Sequence, residues 1–118
     1  MTCLLCHILT GLGALTSHPG IIASERYAAT AITIEIDRGR VSDIVVDGPL
    51  DSAFIYSRHG YTLATREFGG AWLVEISGPS SHEQLVISRG GALLWTQQSA
   101  GMGVVAVALF QGNCEVSQ

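Results

Sequence analysis

The residues best equipped for chemistry open the chain. Cys3-Leu4-Leu5-Cys6-His7 has the C-x-x-C-H spacing of covalent haem attachment. In that chemistry two thiols form thioethers to the haem vinyls, and the adjacent imidazole supplies an axial ligand. Met102 would be the second axial ligand, although nothing in its surroundings singles it out. Position argues against haem, because the motif lies inside an apolar run that itself reads as an export signal. A thiol–disulfide motif fits less well, since no βαβ pattern follows. The plainer reading makes both cysteines small apolar residues of a hydrophobic run.

Other chemistry finds less support. His7, His18, His59 and His82 stand singly, with neither H-x-H nor H-x-x-x-H spacing to start a metal site. No Gly-x-Ser-x-Gly elbow is present, and Ser80 and Ser81 fall in a turn rather than between strand and helix. Asp43, Asp47 and Asp51 recur every four residues but lack the EF-hand ligand pattern. They read as solvated turn acids. Gly69-Gly70 and Gly90-Gly91 are hairpin glycines with no helix N-terminus to help hold phosphate. Neither a catalytic set nor a cofactor is expected.

A ligand surface is the remaining candidate. Arg58, His59 and Tyr61 place a cation, an imidazole and a phenol at one loop. Trp72 and Trp95 occupy corresponding places on strands flanking one further strand. Aromatic rings with a few polar groups at a barrel mouth are a common construction for small-molecule sites. Two buried core tryptophans and an ordinary Arg-His-Gly turn are the competing reading.

The elements that must position these residues are strands. Ala31–Ile36 alternates Ile32, Ile34 and Ile36 against Thr33 and Glu35, the pattern of a strand with one wet face. Asp37-Arg38-Gly39-Arg40 turns the chain into Val41–Val46, which ends at Asp47-Gly48-Pro49. Further strands are expected over 53–57, 61–68, 71–77, 83–89, 92–99 and 104–110, separated by Gly-rich turns. This spacing predicts an all-β fold of about eight short antiparallel strands in a meander, forming a small barrel or two-sheet sandwich. No segment after residue 30 carries a helical stripe.

Composition bounds the rest. At 118 residues, 47% hydrophobic and 14% charged, the chain suits one globular domain and not a disordered segment. Six arginines, no lysine and a net charge of −4 argue against nucleic acid as a partner. The first charged side chain is Glu25, and the apolar run through Leu15 matches the hydrophobic region of a signal peptide. Residues 1–23 are therefore expected to be a signal peptide, cleaved near Ala23 to start at Ser24-Glu25-Arg26-Tyr27, with an all-β domain over 24–118. The run is too short to span a bilayer. The alternative is an apolar segment that docks on the domain and stays. The two readings differ at Cys114, which is left alone by cleavage or pairs with Cys3 or Cys6 without it.

The functional expectation is an exported binding or structural module, secreted or periplasmic, without catalytic machinery. Its partner is a protein or a small molecule. The alternatives are a ligand-carrying barrel around Tyr61, Trp72 and Trp95, a redox or haem protein using Cys3, Cys6 and His7, and a cytoplasmic location.

Overall fold

A computed structural model describes residues 2–23, 31–47 and 53–117. The expected cleavage start at Ser24–Tyr27, the Gly48-Pro49 turn and Asp51 lie outside the described residues. The fold is all-β, an antiparallel sheet curled into a half-barrel. Among the described residues there is no α-helix, so none is long and apolar enough to cross a membrane.

The strands are β1 (Thr2–Leu15), β2 (His18–Ala23), β3 (Ala31–Asp37), β4 (Arg40–Val46), β5 (Phe54–Ile55), β6 (Thr62–Phe68), β7 (Ala71–Ser77), β8 (Ser81–Ile87), β9 (Ala92–Gly101) and β10 (Val104–Ser117). Their order is β5-β4-β3-β1-β10-β9-β8-β7-β6, with β2 on the side of β1. From Ala31 onward this amounts to the eight strands that hydrophobic alternation predicts. They form two meanders, β3–β5 and β6–β10.

What alternation does not foresee is the strand between them. The N-terminal apolar run is β1, paired with β3 on one side and β10 on the other. Leu4, Cys6 and Ile8 point inward and are buried with Ile32, Ile34, Ile36, Ile44, Val74, Ile76, Leu85, Leu93 and Phe110. The expectation of a removable leader over 1–23 thus gains no support from the fold, and the retained-strand alternative fits it. Cleavage after Ala23 would withdraw a central strand and expose the flanks of β3 and β10.

Two details tie β1 down. Cys6 lies directly across from Cys114, and the two form a disulfide 108 residues apart in sequence. Gly112 sits so close to β1 that a Cβ there would strike the carbonyl of His7.

The predicted strand over 53–57 also differs. Only Phe54–Ile55 pairs with β4, and Tyr56–His59 forms a 3-10 turn closed by Gly60 at φ 78°. The cause is Asp43, whose carboxylate accepts hydrogen bonds from Ser57 N–H at 3.1 Å and Ser57 Oγ at 2.6 Å. That capture curls the chain away from the ladder and carries it from β5 to β6, the two ends of the sheet. There β4 and β6 face each other, and Val41 N–H donates to Thr65 Oγ1 at 2.9 Å.

Closing a loop of this length removes much unfolded-state entropy, so the C6A/C114A double variant should lose about 2–5 kcal/mol of stability. Urea midpoints of the variant and the oxidised wild type measure this. An unchanged midpoint would show that the bridge contributes nothing.

Candidate functional site

Three places in the fold concentrate unusual side chains: a buried carboxylate, a pocket at one end of the half-barrel, and an uncharged flap at the other.

The carboxylate is Glu83. On β8 it shares alternation with Leu85 and Ile87, so the same pleat that buries those two drives an acid into the interior. Its Oε1 accepts hydrogen bonds from Trp95 Nε1 at 2.8 Å, Tyr56 Oη at 3.0 Å and Gln97 Nε2 at 3.0 Å. Burial holds its pKa above the ordinary carboxylate value, with the three donors and the nearby His82 pulling the other way. Nothing in this arrangement resembles a nucleophile with its base. Glu83 is an acceptor that lets three amphipathic side chains be buried together.

Beside it lies an aromatic cluster. Tyr61 packs on Tyr56 at 4.7 Å between ring centroids, and its hydroxyl accepts from Ser81 Oγ at 3.1 Å. His59 stacks on Phe54 at 4.0 Å, while its Nδ1 donates to the Ile55 carbonyl at 2.9 Å. Arg58 is exposed on the same turn.

The five residues singled out as a ligand surface therefore separate. Arg58, His59 and Tyr61 stay together around the 3-10 turn. Trp95 is buried in the core against Phe110 and Glu83. Trp72 stands at the opposite end of β7 from Tyr61, whose ring lies against Gly78.

Trp72 lines a pocket of about 500 Å³ with Leu4, Glu67, Ile87, Arg89, Cys114, Glu115 and Val116. Its Nε1 donates to Glu67 Oε1 at 3.2 Å, which orients the indole. The Arg89 guanidinium lies over Gly70, 3.1 Å from where a Cβ would sit. Neither Arg89 nor Glu115 belongs to the ligand surface drawn from the sequence. They reach this pocket only because β10 returns beside β1 and the β8–β9 turn.

The haem-like pattern is likewise taken apart. Cys6 points inward and is bonded to Cys114, whereas Cys3 and His7 sit at the opposite parity of the same strand. Cys3 is a half-buried free thiol. The two cysteines do not converge on one group. Among the described residues, no cluster of three His, Cys, Asp or Glu side chains could hold a metal ion.

The flap consists of β1 beyond Ile8, β2, the first half of β10 and the end of β9. A bulge at Leu9 shifts the register of β1 on β10 and reverses its alternation. Before the bulge the even-numbered residues face the core. After it Gly11, Gly13 and Leu15 take that side, and Leu12 turns outward beside Leu109. Leu12, Leu94, Val105, Val107 and Leu109 are each 37% to 47% exposed, and the nearby Leu9, Ile21 and Met102 more so. Of the large apolar side chains exposed among the described residues, all but Phe54 and Val116 lie on or beside this flap.

Comparison with protein-family models, with curated proteins and with solved structures finds no match for this chain.

Because the native state holds the Glu83 proton more tightly than the unfolded chain does, it binds more protons between the ordinary pKa and the raised one. The contribution of Glu83 is full below the ordinary value and is lost as pH rises through the raised one. E83Q keeps an acceptor and removes this slope, whereas E83A leaves three donors unpaired and costs roughly 3 kcal/mol or more. Denaturation midpoints across pH test both. An E83Q profile parallel to wild type would contradict this role for the carboxylate.

Proposed function

We propose that this protein is a non-catalytic structural module that associates with a second copy of itself through the flap. The observation that carries this reading is the outer stripe of Leu12, Val105, Val107 and Leu109, with Leu94 beside it. Contiguous apolar surface of this kind on a soluble domain usually marks an interface.

Charge placement favours the same chain as the partner. The protein carries a net charge of −4, yet residues 2–23 and 90–113 contain no Asp, Glu, Lys or Arg. Two flaps meet without bringing like charges together, while the acidic remainder of each copy stays apart. Strand β2 adds a backbone element. Among the described residues it pairs only with β1, so its second edge offers N–H and C=O groups to another strand. Antiparallel pairing of β2 with its own copy about a twofold axis is self-complementary.

In this reading the apolar N-terminal segment is retained as part of the working surface. The Cys6–Cys114 bridge favours an oxidising compartment, secreted or periplasmic. That bridge and removal of residues 1–23 exclude each other, since Cys6 lies within the segment.

Sedimentation equilibrium of the full chain should give a dimer at micromolar concentration. V107K/L109K should weaken the association at least about tenfold. Its melting temperature should match that of the wild-type chain diluted until it is monomeric, because both side chains face water in the single copy. A wild-type chain that sediments as a monomer overturns the reading, as does dimerisation that the double variant leaves intact. A monomer that instead binds neutral lipid vesicles would reassign the stripe to a membrane surface.

A further inference from the structure

We infer that the Trp72 pocket is a binding site for a small zwitterion carrying an apolar group, such as a free apolar or aromatic amino acid. The site lies at the end of the half-barrel away from the flap, so it is independent of the self-association above.

Four features of the pocket point to this chemistry. Its volume of about 500 Å³ is within the usual range for small-molecule sites. Its apolar part is the Trp72 ring together with Leu4, Ile87, Val116 and the Cys114 side of the disulfide. The Trp72 ring is already held in place by the Nε1–Glu67 hydrogen bond, so little side-chain freedom is lost when a ligand packs on it. Within that apolar lining Val116 is 61% exposed, left open at the rim.

The fourth feature is the charge pattern. Arg89 lines the pocket with Glu67, and makes no ion pair with any described residue. One cation and one carboxylate thus flank an apolar floor without neutralising one another. A simple organic anion would suit Arg89 and meet the Glu67 carboxylate. A simple amine would suit Glu67 and meet the guanidinium. A ligand bearing both charges satisfies both, with its carboxylate on the Arg89 fork and its ammonium toward Glu67. Its apolar group is then left for the indole face. Glu67 can accept from an ammonium while keeping the Trp72 bond, because a carboxylate has two oxygens.

The two tryptophans make the test internally controlled. In a nitrogen-15 correlation spectrum each indole N–H gives its own signal, and only Trp72 lines this pocket. Titrating the full oxidised chain with L-phenylalanine should shift the Trp72 indole signal saturably and leave that of Trp95 in place. Phenylacetate and 2-phenylethylamine, each lacking one charge, should bind at least about tenfold more weakly, as should L-phenylalanine to R89A. Arg89 is exposed, so R89A should keep the wild-type spectrum elsewhere, which separates loss of binding from loss of fold. No Trp72 shift at millimolar L-phenylalanine or L-leucine overturns the proposal. Equal binding of phenylacetate would make the pocket an anion site, and equal binding of phenylethylamine a cation site; either result rejects the zwitterion. Sedimentation of R89A should match wild type, so failure here leaves the flap reading standing.

Discussion

The antiparallel ladder between β1 and β10 is the interaction on which the rest of the structure depends. The chain folds as two meanders, β3–β5 and β6–β10, each of which needs only short connections. Neither closes on itself. β1 joins them by pairing with β3 along one edge and β10 along the other. Without it, two apolar strands would present unpaired backbone to water, the condition that invites aggregation. The pairing brings together residues from opposite ends of the chain, so it demands the largest loop closure in the fold. The Cys6–Cys114 bridge sits within that ladder and holds together positions 108 residues apart.

Curling the sheet poses a second problem, because β4 and β6 approach each other without a continuous ladder between them. Side chains fill the role that backbone pairing would have taken. Thr65 accepts the N–H of Val41, and Tyr56 reaches across from the 3-10 turn to Glu83. A carboxylate in a β interior is costly unless its hydrogen bonds are supplied. Here the cost works both ways: Tyr56, Trp95 and Gln97 each bring a donor inward, and one acid satisfies all three. Removing the acid would strand the donors, and removing the donors would strand the acid. The cluster therefore fixes how the two ends of the sheet meet.

Much of this was legible in residue order, and the exceptions have physical causes. Ile32, Ile34 and Ile36, or Trp72, Val74 and Ile76, declare a buried face by simple alternation, because a strand's side chains have a period of two. Glu83 obeyed the same rule beside Leu85 and Ile87. It is hidden only if an acid is assumed to face water. Thr2–Leu15 is uncharged and, with only Thr2, His7 and Thr10 polar, gives no alternation to distinguish a central strand from a leader. The bulge at Leu9 then reverses the faces midway, which no pattern of residue types announces. The 3-10 turn at Tyr56 depends on Asp43 capturing Ser57 from a different strand. The Trp72 pocket depends on the C-terminal strand returning beside the N-terminal one, a pairing that local sequence cannot express.

The same ladder sets the relation between the two surfaces. The pocket uses Leu4 and Cys114–Val116, whereas the flap uses Leu12 and Val105–Leu109. Along an extended strand Leu4 and Leu12 are separated by roughly 27 Å. Coupling over that distance would need an element with two arrangements that both sites bias. The ladder between them is instead held by the disulfide, by the close approach of Gly112 to His7, and by a core of interdigitated Ile and Leu side chains. Packed interiors of that kind resist small displacements. The Leu9 bulge further divides β1 into a half that serves the core and a half that serves the flap. A ligand at the proposed pocket site would thus have no route by which to reset the outer stripe, and the proposed association through the stripe would leave the Trp72 indole where Glu67 holds it.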